Sequence, residues 1–161
     1  MRPSEETGHE VQGSGRPPRS LTRRVGFLLS ALGRLSRDAT EQALESLGIR
    51  PHHYGVLVVL DEGGPAPQRI VGEALGIDKS TMVVVVDHLE ERGLVERHRN
   101  PENRRAYRLT LTGAGRKLLL EADPLVRRVE EDVMAPLDDA QRRQLHGLLL
   151  SLLSGFSEQD G

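Results

Sequence analysis

The sequence predicts a mainly α-helical chain with a small β-hairpin wing, an α+β arrangement in which a winged helix-turn-helix is flanked by N- and C-terminal dimerisation helices. Three observations predict it. Two short helical segments in mid-chain are punctuated by Gly76 and Gly93. Immediately behind them, two extended segments are joined by an arginine-rich turn. At both ends, apolar residues recur at spacings of three and four, as they do when one helix packs along another.

Residues 1–19 hold Pro3, Pro17, Pro18, Gly8, Gly13 and Gly15 and almost nothing apolar, the composition of a disordered tail. Leu21, Val25, Leu28, Leu32, Leu35 and Ala39 then form a stripe, so residues 20–50 are expected to be one dimerisation helix ended by Gly48. A second helix begins after Thr112 with the stripe Leu118, Ala122, Leu125, Val129, Val133 and is closed by Pro136. A third carries Leu145, Leu148, Leu149, Leu152 and Phe156 on one face, which makes residues 113–156 the C-terminal dimerisation helices. This is more apolar surface than a chain of 161 residues covers by itself, and it predicts a homodimer.

Residues 51–112 form the winged module. Pro51 suits the first position of a helix through Tyr54, Leu57, Val58 and Leu60, which Gly63-Gly64-Pro65 breaks. A helix from Pro67 to Leu75 stops at Gly76, and another runs from Asp78 to Glu91 before Gly93. Leu94 to Arg99 is extended, Asn100-Pro101-Glu102-Asn103 turns, and Tyr107, Leu109 and Leu111 alternate onto one face of a strand. Gly72 sits one helical turn before Gly76, where a side chain would hold the two helices apart. Asp78 is placed to cap the second helix.

With Met82, two of the four valines 83–86 and Leu89 facing the core, helical periodicity turns Lys79, Ser80, Thr81, Val83, Val84, Asp87 and His88 outward. Valines on a solvated helix face are unfavourable, but in a major groove they can touch thymine methyl groups. Ser80, Thr81 and Lys79 have the chemistry for phosphates or base edges. Between Arg97 and Arg108 five arginines (97, 99, 104, 105, 108) face a single acid, Glu102. Arg104 and Arg105 at the tip suit a narrow minor groove, and Arg97 and Arg99 suit phosphates. Double-stranded DNA is the partner that this pattern fits.

Other chemistries find little support. The net charge is −2, but the positive charge is concentrated at the wing. Aromatics are 2% of residues, too few for a stacking platform. The absence of cysteine removes disulfides and thiolate zinc sites, and no apolar run reaches membrane-spanning length, so no membrane partner is expected. A cytoplasmic protein is expected on these grounds. No nucleophile with a base, phosphate loop or cofactor motif is present, so neither an enzyme nor a cofactor is expected. His52 and His53 are adjacent and diverge on a helix, so no metal site is expected.

In this order and spacing the residues resemble the MarR family of bacterial regulators. The resemblance rests on Leu75-Gly76-Ile77-Asp78-Lys79-Ser80-Thr81-Met82, on Asp87 to Arg97, and on Asn103-Arg104-Arg105 followed by Leu111-Thr112 and Gly115. Asn103 stands where that family usually carries an aspartate, and Val83 and Val84 stand where polar or basic residues are common. The resemblance implies a homodimer on a pseudo-palindromic promoter site, acting as a repressor released by a small aromatic or phenolic effector. It places His52, His53 and Tyr54 beside the effector pocket. The competing readings are a winged-helix protein-interaction module and a constitutive regulator with no effector.

Overall fold

The computed structural model describes residues 17–99 and 107–157. The expected tail therefore falls mostly outside the described residues, as do the turn Asn100–Asn103 and the wing-tip residues Asn103, Arg104 and Arg105. The chain divides into two compact units, Met1–Arg34 and Leu35–Gly161.

The N-terminal helix is broken near its start, contrary to expectation. Helix α1 (Arg19–Thr22) is a single turn, and α2 (Val25–Leu44) begins anew after Arg23 and Arg24. Thr22 turns its hydroxyl back onto the Arg19 carbonyl at 3.2 Å, and the Arg24 amide donates to Leu21, three residues back, at 2.9 Å. These short-range bonds replace the α-helical ladder. A 3-10 turn at Glu45–Leu47 and Gly48 follow α2.

Helix α3 (Pro51–Gly63) is the hub of the second unit, packing against α4 (Gln68–Leu75), α5 (Lys79–Glu91), β3 (Tyr107–Leu111) and α6 (Gly113–Val133). Its Val56, Leu57 and Leu60 are buried with Val71 of α4 and with Met82, Val85, Val86 and Leu89 of α5. Val95 of β2 (Val95–Arg99), Leu109 of β3, and Leu119 and Ala122 of α6 complete the core. Each of the buried Val, Leu and Met side chains contributes about 1.5–3 kcal/mol.

The wing is three-stranded, one strand more than the sequence indicates. Between α3 and α4, Ala66–Pro67 forms a two-residue strand β1, and the order is β1-β3-β2, all antiparallel. Ala66 pairs with Leu109 and Pro67 with Arg108; Val95 pairs with Leu111 and Arg99 with Tyr107. The strand face predicted for Tyr107, Leu109 and Leu111 is uneven: Leu109 is fully buried, Leu111 half-buried and Tyr107 48% exposed. Tyr107 pairs at the open end of the ribbon, beyond the reach of β1.

Thr112 joins wing and arm. Its hydroxyl donates to the Gly93 carbonyl at 2.7 Å and accepts from the Gly115 amide at 2.9 Å, capping α6. Gly115 lies so close to the base of the wing that a Cβ there would stand 2.1 Å from the Leu94 carbonyl oxygen. Pro124 lies inside α6, where its missing amide leaves the Leu120 carbonyl without its helical donor; both residues are exposed. Helix α7 (Asp139–Ser157) starts on a reciprocal pair, with Asp138 accepting from the Gln141 amide at 2.9 Å and donating its own to the Gln141 side chain at 3.0 Å. No residue of α7 with a described side chain is buried; that of Phe156 lies outside the description.

Candidate nucleic-acid interface

Helices α4 and α5 meet as the glycine spacing predicts. Gly76 adopts φ 62°, the left-handed conformation that costs glycine least. A Cβ on buried Gly72 would lie 3.3 Å from the Ile77 carbonyl and 3.5 Å from Cγ of Met82, so a larger residue would push the helices apart. Ile77 is half-buried against the same core.

Asp78 caps α5, its Oδ1 accepting from the amides of Ser80 and Thr81, both at 3.0 Å. The two hydroxyls bind the same carboxylate, Ser80 at 2.5 Å and Thr81 at 2.6 Å. The hydroxyl of Ser80, then that of Thr81, with the amides behind them, hold the Asp78 carboxyl well below the usual carboxylate range. While they donate to Asp78, Ser80 and Thr81 offer neighbours lone pairs only. They can accept from a base amino group, but a phosphate contact requires either hydroxyl to swing away.

The valine run divides as the periodicity requires. Val85 and Val86 are buried, whereas Val83 is 39% and Val84 68% exposed. Lys79, Ser80 and Asp87 are exposed on the same helix, and Thr81 is half-buried. His88 departs from its expected outward position. Its ring stacks on that of His53, centroids 4.5 Å apart and planes inclined by 15°, and its Nε2 lies 3.4 Å from the Gly48 carbonyl oxygen. Arg92, unremarked in the sequence, donates to the carbonyls of Gly48 at 2.7 Å and Leu47 at 3.0 Å, fastening the end of α5 to the turn after α2.

On the wing, Arg99 is exposed at the end of β2. Arg97 is not free in the same way. Its guanidinium donates to Glu90 and to Asp87, each at 2.5 Å, and its side chain is 19% exposed. Burial alone would lower the Arg97 pKa, but the bonds to Asp87 and Glu90 outweigh it and raise the pKa, keeping the charge. Glu90 escaped notice in the sequence, although its spacing of three from Asp87 puts both carboxylates on one side of α5. Arg108 donates to the Pro65 carbonyl at 2.6 Å.

His52, His53 and Tyr54 do not form one site. His52 and His53 line an open cleft of about 600 Å³ with Glu41, Glu45, Arg50, Thr81, Val84 and His88. His53 is 8% exposed, and its Nδ1 accepts the Arg50 amide at 3.0 Å. Burial, and after it the neighbouring His88, Arg50, Arg92 and His52, pull the His53 pKa down to about 4. Tyr54 opens onto a separate cavity of about 320 Å³ with Val58, Asp61, Leu119, Leu120 and Asp123. Its hydroxyl donates to Asp123 at 3.0 Å, and burial together with that bond raises its pKa to about 12. Among the described residues, no three His, Cys, Asp or Glu side chains cluster so as to hold a metal ion. No described helix is long and apolar enough to cross a membrane.

Comparison with known proteins agrees with this geometry. Residues 47–106 match the family model described as the MarR family. The chain is 38% identical over 111 residues to a putative transcriptional regulatory protein for the hcr operon of Thauera aromatica, covering 69% of this chain and 67% of the relative. A MarR-family regulator from Rhodococcus sp. RHA1 superposes with a TM-score of 0.77 at 34% identity, covering 84% of this chain and 96% of that one. CouR of Rhodococcus jostii RHA1, solved with p-coumaroyl-CoA, gives a TM-score of 0.73 at 34% identity over 84% of this chain and 95% of its own.

Proposed function

The chain belongs to the MarR family of DNA-binding transcriptional regulators, and from that premise we propose that it is a homodimeric repressor released from a pseudo-palindromic promoter site by a small aromatic or phenolic ligand. The observation that carries the DNA-reading part is the exposed pair Val83 and Val84, on a helix whose next two valines are buried. Methyl groups held at the surface between a capped polar N-terminus and an arginine-bearing wing suit a major groove presenting thymine methyls. Lys79, Ser80 and Thr81 stand at the entry of that helix, and Arg99 with the wing-tip Asn103, Arg104 and Arg105 would serve the backbone and minor groove.

The dimer is supported by Leu148, Leu150 and Leu152 of α7, each at least half exposed in the single chain, and by Leu120 of α6 at 72%. Two recognition helices related by a two-fold axis read two half-sites one or more helical turns apart. The ligand is assigned to the cleft lined by His52 and His53, because Thr81 and Val84 belong both to that cleft and to the reading helix. A ligand there need only prefer one setting of α5 to shift operator affinity. The complex of CouR with p-coumaroyl-CoA supports an aromatic ligand.

Fluorescence anisotropy on the chain's own upstream intergenic duplex and on a scrambled duplex, at two salt concentrations, tests this reading. Preferential, salt-sensitive binding to the native duplex, lowered by Arg105→Ala and reversed by p-coumarate or p-coumaroyl-CoA, is expected. Equal binding to both duplexes removes the regulator reading for that site. Binding that neither ligand disturbs, with no shift in Tm, removes the aromatic effector.

A further inference from the structure

We propose that Arg97 is a positioning residue: with Asp87 and Glu90 it forms a clamp that sets the angle between the wing and the reading helix, and it takes no phosphate of its own. The inference rests on the DNA-binding reading for its consequence, but not for its geometry. Asp87 and Glu90 are one turn apart on α5 and face β2. Arg97 reaches them twice, through its backbone, whose amide donates to Glu90 Oε1 at 3.1 Å, and through both guanidinium ends. The fork that would recognise a phosphate is thus already spent on two carboxylates.

Charge argues the same way. One guanidinium between two carboxylates leaves the group at a net charge of −1, so an approaching phosphate meets repulsion where an isolated arginine would attract it. Arg99, two residues further along β2, carries no such partner among the described residues and is exposed. Position gives the clamp its leverage. Val95, Leu109 and Thr112 hold the base of the wing to the core. Arg97 lies two residues outward, about 7 Å along the strand, and its bonds tie the wing to the reading helix itself at that distance from the base. A small change of angle at that point moves the tip across the backbone of a bound duplex. Arginine, with a rigid fork, can hold two carboxylates on one helix; lysine, a single point charge, cannot hold both in place.

The experiment uses the full chain as wild type, Arg97→Lys, Arg97→Met and Glu90→Gln. Hydrogen exchange is read first, without DNA. The clamp predicts exchange about tenfold faster across residues 95–99 and 107–111 in all three variants, with α3 and α6 unchanged. Unchanged exchange in the wing overturns the proposal. Binding is then measured against duplexes that the wild-type protein selects from a random pool, at several salt concentrations. All three variants should bind about tenfold more weakly with the salt dependence of the wild type, and Glu90→Gln should add nothing on top of Arg97→Lys. If Arg97→Lys keeps full affinity while Arg97→Met lowers the slope of log K against log salt by about 1, Arg97 is a phosphate contact and the proposal fails. Should the wild type select no duplex, the DNA reading falls, and the exchange data alone decide the clamp.

Discussion

The reading head and the C-terminal arm of the same unit solve the problem of apolar surface in opposite ways. In the head, Leu57, Val71, Val86, Leu89 and Leu109 are fully buried by one another, and polar side chains stitch the elements together: Arg92 onto the turn after α2, Thr112 onto the wing, Arg97 onto α5. In α7, Leu148, Leu150 and Leu152 are half or more exposed. The head is complete within one chain, whereas the arm offers a surface that a second copy can finish. On the proposed dimer, regulation becomes a matter of how two finished heads are spaced by a pair of arms.

Four measurements would break or sharpen this contrast, taken from the largest expected effect. Leu148→Glu combined with Leu152→Glu places charges one turn apart on α7 and should weaken the proposed dimer by at least about a thousandfold. Sedimentation velocity would show monomer, with the head's cooperative melting retained; an unchanged sedimentation coefficient would locate the dimer interface elsewhere. Gly115→Ala forces a methyl to within 2.1 Å of the Leu94 carbonyl oxygen, and denaturant unfolding should register a loss of at least about 3 kcal/mol.

The third measurement is acidification. The folded-state pKa of His53, about 4, lies below its unfolded value of 6.5, so the unfolded chain binds the proton first. The neutral imidazole's contribution is therefore fully present above pH 6.5 and is lost as the pH falls towards 4, by about 3 kcal/mol. His53→Asn, which keeps an acceptor for the Arg50 amide, should flatten that slope; an identical slope in the variant would assign the acid sensitivity to other groups. The smallest effect has the opposite sign. Gly147 in α7 has no atom within 4 Å of an added Cβ, so Gly147→Ala should raise the melting stability by about 0.5–1 kcal/mol.

Local signals explain what was legible in the sequence. The positive φ of Gly76, the end of the second helix before Gly93, the Asp78 cap and the split of the valine run all follow from spacings within one or two turns, and the structure shows each of them. What was missed depends on partners far apart in the chain. Strand β1 has no local signature in Ala66–Pro67, because its partner lies more than forty residues away at Leu109 and Arg108. The outward position expected for His88 failed for the same reason, since His53, onto which its ring stacks, is contributed by α3. By sequence alone Arg97 belongs with its neighbours to one basic patch. Its commitment to Asp87 and Glu90 appears only once β2 is laid against α5. The adjacency of His52, His53 and Tyr54 misled in another way: neighbours on a helix diverge, and they open onto two cavities.

The three-stranded sheet has a consequence for solubility. A sheet edge presents unpaired backbone groups to which another chain can add, the usual route to strand-mediated aggregation. Here one edge is only two residues long, and one of them, Pro67, has no amide hydrogen to offer. The other edge, β2, carries Glu96, Arg97, His98 and Arg99 in succession, side chains that penalise a docking strand. Both borders thus resist extension into a larger sheet, and the proposed helix-mediated dimer is spared a competing mode of assembly.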